Sequence, residues 1–169
     1  MSLIEFAPKS LFAARYYVLK RGGVAIGQID CGGIRQPASI VIGDATFRPA
    51  RDGVLRTTYH LDGDGARLAS AAPAGAALRR FTVETGARTY TLAVTSWAGR
   101  RFTLTENGTA VGTIARTGFF TTKCKADLPD DLPLGVQAFL IWLVIIIWRR
   151  QAATNAVISG VAAIQSAPQ

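Results

Sequence analysis

Histidine and methionine each occur once in the 169 residues, and cysteine only twice. His60 alone leaves little scope for general acid–base chemistry and, beside so few thiols, no set of metal ligands. GxSxG elbows, P-loops, GxGxxG turns after a strand and HExxH pairs are all missing. A non-enzymatic protein without metal or cofactor is therefore expected. Cys31 and Cys124 lie 93 residues apart, which argues against a disulfide framework and for two reduced core thiols in a cytoplasmic protein. The amino-terminal MSLIEFAPKSLFAARYY lacks the basic region, apolar core and cleavage site of an export signal. Acidic residues are scarce as well, 11 against 19 basic ones, for a net charge of +8.

One hydrophobic run dominates what is present. Leu134 to Trp148, LGVQAFLIWLVIIIW, contains a single polar side chain, Gln137, and ends against Arg149 and Arg150. A helix apolar all round must be enclosed by lipid or by the protein's own core. Its 15 residues reach ~22 Å, short of the ~30 Å of a hydrocarbon layer. The arginines follow the run while Asp127, Asp130 and Asp131 precede it, so a spanning helix would place the preceding domain outside the cell, with nothing to export it. Burial inside the protein is the expected outcome, with Phe139, Leu140, Trp142, Leu143, Ile145 and Trp148 as the core of the helix. A membrane anchor over 134–148 is the alternative.

Upstream, the chain reads as strand after strand. Phe81 and Val83, then Tyr90, Leu92 and Val94, alternate with smaller or polar residues, the period of a half-buried sheet. Gly22-Gly23, Asn107-Gly108 and Asp62-Gly63-Asp64-Gly65 supply tight turns. Segments near 15–21, 24–30, 39–43, 45–49, 54–62, 66–71, 79–85, 88–96, 100–106, 109–116 and 118–126 make about eleven strands. Tyr17–Ile29, YVLKRGGVAIGQI, aligns without gaps on Phe102–Ile114, FTLTENGTAVGTI. In both, the apolar residues flanking Gly27 and Gly112 have opposite parity, which predicts a bulge at each glycine. About eleven strands can close around a central helix. The predicted fold is thus mainly β, a closed antiparallel barrel of about 11–12 strands around a hydrophobic C-terminal α-helix. Residues 1–14 form an N-terminal segment or first strand, 15–150 the barrel with its helix at 134–150, and 151–169 an Ala-rich tail; Ala152–Ile164 reads as an interfacial helix or a continuation of the core helix.

The recurring aromatic-x-Leu hairpins, the G-x-x-x-G-x-Ile pattern and the segment from Gly118-Phe119-Phe120 through Lys125-Ala126-Asp127-Leu128-Pro129 to Trp148-Arg149-Arg150 resemble the tubby C-terminal-domain-like superfamily. That group includes phospholipid scramblases and LURP-one-related proteins, and the likeness is to its small bacterial members. It implies a twelve-stranded barrel around a buried helix, with the extra strand supplied by Leu3–Phe6 or by a split of 39–49. It also implies recognition of phosphoinositide headgroups by basic side chains. The calcium dependence linked to scramblases finds no counterpart, because Asp127–Asp131 lacks the ligand spacing of a calcium loop.

Charge supplies the last expectation. A pI near 10.2 favours anionic partners, and 15 of the 19 basic residues are arginine. Lys20, Arg21, Arg79, Arg80, Arg88, Arg100, Arg101, Lys123 and Lys125 are the candidate anion-binding residues. Together with the resemblance they imply anionic phospholipids at the inner face of a membrane, bound by a monomeric cytoplasmic protein; the alternative is that scattered arginines serve solubility alone. Nucleic acid fits the charge, but no recognised nucleic-acid module is visible.

Overall fold

The computed structural model describes residues 2–10, 13–33, 36–53, 57–75, 79–96, 98–117 and 123–165, with helix side chains described as far as 156. The strands are β1 (Ser2–Ser10), β2 (Ala13–Arg21), β3 (Val24–Asp30), β4 (Ser39–Ile42), β5 (Ala45–Asp52) and β6 (Thr58–Gly63). They continue as β7 (Ala66–Pro73), β8 (Arg80–Thr85), β9 (Arg88–Val94), β10 (Arg101–Glu106), β11 (Thr109–Arg116) and β12 (Cys124–Leu128). A long helix, α1 (Leu134–Gln165), follows. Each strand pairs antiparallel with its sequence neighbours, and β1 pairs with β12 to close the ring.

Alternation explains the ring's interior. Ile4 and Phe6, Tyr59 and Leu61, Phe81 and Val83, Tyr90 and Leu92, and Phe102 and Leu104 are buried two by two along their strands. Turned inward, they meet α1, which is buried on all sides from Val136 to Ile145. Phe139, Leu140, Trp142, Leu143, Ile145 and Trp148 are all in the core, as expected. Trp142 stacks on Phe139 and meets Tyr59 edge-on, and Trp148 meets Phe102 edge-on. At ~1.5–3 kcal/mol per large buried side chain, the helix is the principal filling of the barrel. Leu134–Ala156 is long and apolar enough to cross a membrane by composition alone; here the strands enclose its buried part.

Gln137, the one polar residue of the run, is buried, and its Nε2 donates to the carbonyls of Pro129 and Leu132. It thereby ties the β12–α1 connection over the helix start. Five glycine-containing turns gather at that end of the barrel. The five longer connections, β3–β4, β5–β6, β7–β8, β9–β10 and β11–β12, lie at the other end, where α1 leaves.

Both expected bulges are present. The β2–β3 register slips between Leu19 and Lys20, opposite Gly27, and the β10–β11 register slips between Leu104 and Thr105, opposite Gly112. A third copy, not expected, occupies β6–β7: Tyr59–Ala71, YHLDGDGARLASA, has the same length, and its register slips between Leu61 and Asp62. All three turns hold two consecutive residues at positive φ: Gly22-Gly23, Asp64-Gly65 and Asn107-Gly108. That is the backbone of a type I′ hairpin. The barrel thus repeats a four-strand unit three times, with β1 completing the third. Ala69 stands where the other copies have Gly27 and Gly112, which hides this copy from a search for the glycine pattern.

Several boundaries differ from expectation, among them β5, which runs to Asp52 and not 49. β1 spans Ser2–Ser10 in place of Leu3–Phe6, since its two neighbours, β2 and β12, give it hydrogen-bonding partners over most of its length. The last strand is Cys124–Leu128, not 118–126; residues 118–122 lie outside the described residues, as do 54–56 of the expected strand 54–62. The helix runs past the expected 150 to Gln165, the continuation that is one of the two readings of 152–164, because the tail is Ala-rich and carries no proline before Pro168.

Candidate anion-binding site

The seam that closes the barrel also assembles its lysines. β1 sits between β2 and β12, so Glu5 lies opposite Lys20 on one side and Lys125 on the other. All three point outward, since Ile4, Phe6, Leu19, Cys124 and Ala126 take the inward positions. A groove of about 370 Å³ runs along this sector and is lined by Lys9, Lys20, Lys123 and Lys125. These are all the lysines of the chain. Among the described residues Glu5 is the sole acidic one lining it, 3.5 Å from the Lys125 ammonium. Four positive charges against one negative leave the groove three charges positive. Val18, Ala7 and Pro8 supply an apolar floor on which lysine stems can lie. Ammonium groups on flexible stems can gather around the several oxygens of a phosphorylated or multiply carboxylated anion.

The remaining candidates fall elsewhere. Arg79 and Arg100 stand at the end where α1 leaves. Arg80 and Arg101 open β8 and β10, exposed on the outer face. Arg21 is exposed at the far end of β2, beside its turn. Arg88 does not belong with them. Its guanidinium bonds both carboxylate oxygens of Glu106, at 2.8 and 2.9 Å, and also meets Asp131. The pairing holds the Glu106 carboxyl below its ordinary range. Arg88 is therefore a structural clamp joining β9, β10 and the approach to α1, and it stands outside the site. Lys9 was missed because it is isolated in sequence; closure of β1 onto β2 and β12 places it.

His60 is buried on the barrel's outer face, with Nδ1 2.9 Å from Asp52 and Nε2 3.2 Å from Asp62. Asp62-Gly63-Asp64-Gly65 forms the end of β6 and the β6–β7 turn, as expected. Cys31 and Cys124 are buried as reduced thiols, and burial pushes both up to about 11. No cluster of three or more potential metal ligands occurs among the described residues.

No family model, curated protein or solved structure matches the chain.

Proposed function

We propose that this protein is a non-enzymatic binding protein that recognises anionic headgroups at a membrane surface through the lysine groove. The observation that carries this reading is the convergence of all four lysines, from positions 9 to 125, on one concave surface. Scattered surface lysines would have no reason to share one groove on a barrel of this circumference. The ammonium groups around the groove can meet several phosphate oxygens at once. The resemblance to tubby-type domains supports the same ligand class.

Flotation with vesicles tests it. Vesicles of phosphatidylcholine containing phosphatidylglycerol or a phosphoinositide are expected to carry the protein upward, and pure phosphatidylcholine vesicles are not. Binding should weaken steeply as salt shortens the Debye length from ~10 Å at 0.1 M to ~3 Å at 1 M. Replacing Lys9, Lys20, Lys123 and Lys125 together with glutamine should lower affinity at least a hundredfold, at ~1 kcal/mol per basic residue near an anionic surface. Unchanged flotation of that variant would overturn the reading.

A further inference from the structure

Among the described residues, arginines gather at the end of the barrel where α1 leaves. Two clefts flank the emerging helix. One, of about 490 Å³, is lined by Arg79 and Arg150 with Ile147, Gln151, Thr154 and Asn155. The other, of about 160 Å³, is lined by Arg100 and Arg116 with Trp148, Gln151 and Ala152. Among the described residues no acidic side chain lines either cleft. Their walls are fixed by the core: Trp148 Nε1 donates to the Gly99 carbonyl at 2.9 Å, Arg150 donates to the Tyr59 hydroxyl at 2.8 Å, and the Arg116 guanidinium lies 4.6 Å over the Trp148 ring.

Out of this arginine rim the helix continues from Gln151 to Gln165. It is exposed from Ala152 to Ala156. The sequence from 151 to 169 contains no charged residue, and nine of the fifteen residues from 151 to 165 are alanine, valine or isoleucine. Fifteen helical residues reach ~22 Å, more than the ~5–8 Å of one headgroup layer. An uncharged helix of alanine and valine binds a bilayer weakly by itself. The arginines at its base add electrostatic attraction to anionic lipids.

We infer that the helix-exit face is the surface that docks on an anionic bilayer, with the helix beyond Gln151 entering the headgroup and outer acyl region and Arg79, Arg100, Arg116 and Arg150 at the level of the lipid phosphates. This rests on the reading of the protein as a membrane-surface binder and adds the orientation in which it binds. Charge complementarity selects the occupant: guanidinium pairs meet phosphate oxygens in bidentate fashion, and an uncharged helix between them suits an interface in which water gives way to hydrocarbon. The lysine groove reaches this same end of the barrel through Lys9, Thr117 and Lys123, so docking on this face brings it to the lipid surface.

An environment-sensitive label tests the orientation. The full chain would carry one cysteine in place of Ala153 or Ala156, with Cys31→Ala and Cys124→Ala, and be labelled with a nitrobenzoxadiazole fluorophore. On mixing with phosphatidylcholine vesicles containing phosphatidylglycerol, the emission should shift to the blue and be quenched by quenchers attached to the acyl chains. Pure phosphatidylcholine should leave it unchanged. Arg79→Gln and Arg116→Gln should each weaken the response about fivefold. Flotation of the labelled protein with unshifted emission would overturn the orientation while leaving the lysine-groove reading intact. A shift produced by raising protein concentration without vesicles, or by duplex DNA and not by lipid, would overturn it in favour of a second copy or of nucleic acid. Absence of flotation with any anionic vesicle would overturn the membrane reading and this orientation with it.

Discussion

Single residues in this barrel are constrained less by their own chemistry than by what stands opposite. A β-carbon on Gly27 would lie 2.5 Å from the Val41 carbonyl oxygen, and one on Gly112 would lie 2.8 Å from that of Asp127. Both contacts are with backbone, which cannot swing aside. Gly27→Ala should therefore lower stability by about 1–3 kcal/mol, read from the midpoint of chemical unfolding; an unchanged midpoint would show that β3 and β4 can move apart at little cost. At this scale the sequence was informative where a residue type has one use. The bulges at the two glycines were legible because apolar residues of opposite parity on either side of a glycine cannot all face inward on a regular strand. The third copy was not, since Ala69 carries no such signature, His60 stands where the other hairpins have Val18 and Thr103, and Asp62 stands where they have Lys20 and Thr105.

Among the elements, α1 stands apart because it serves as the core of all the others. Strands alone would leave their inward aromatic residues, Phe6, Tyr59, Phe81, Tyr90 and Phe102, facing an empty channel. Deleting residues 134–150 is accordingly expected to abolish folding; a soluble fragment 1–133 that melts cooperatively in circular dichroism would refute this. The helix interior was legible because fifteen nearly unbroken apolar residues match no amphipathic pattern. Its far end was legible only as one of two readings. Thr154, Asn155, Ser159 and Gly160 interrupt the apolar pattern but do not break a helix, so composition changed at 150 while the backbone did not. The first strand was only partly legible for a related reason: its partners, β2 and β12, include one from the opposite end of the chain, and no local pattern announces such a pairing.

For the molecule as a whole, the arrangement of charge follows from closure. The lysines are scattered in the sequence because they lie on or beside three strands that meet only at the seam, so the groove could not be read from any run of residues. Charge also clamps the opposite end, where Arg88 joins β9, β10 and the approach to α1. Because pairing with Arg88 holds Glu106 below its ordinary value, this contribution is fully present above the unfolded carboxyl range and disappears as pH falls through the lowered folded value. The melting temperature is thus expected to be level above about pH 5 and to fall at lower pH. Glu106→Gln should make that fall shallower, and an identical pH profile would show that the clamp does not contribute to stability. The Asp30 carboxyl, bonded by Arg15 and also lowered, adds to the same acid limb in both proteins.

The position of α1 at the C-terminal end has a consequence for biosynthesis. The chain makes its twelve strands first and its core last. At ~5–20 residues per second, the 15 residues from Leu134 to Trp148 take roughly 1–3 s to add. Throughout that interval the nascent sheet must keep its aromatic inner face from other chains, and for this protein the hazardous moment is the wait for the final helix on the ribosome.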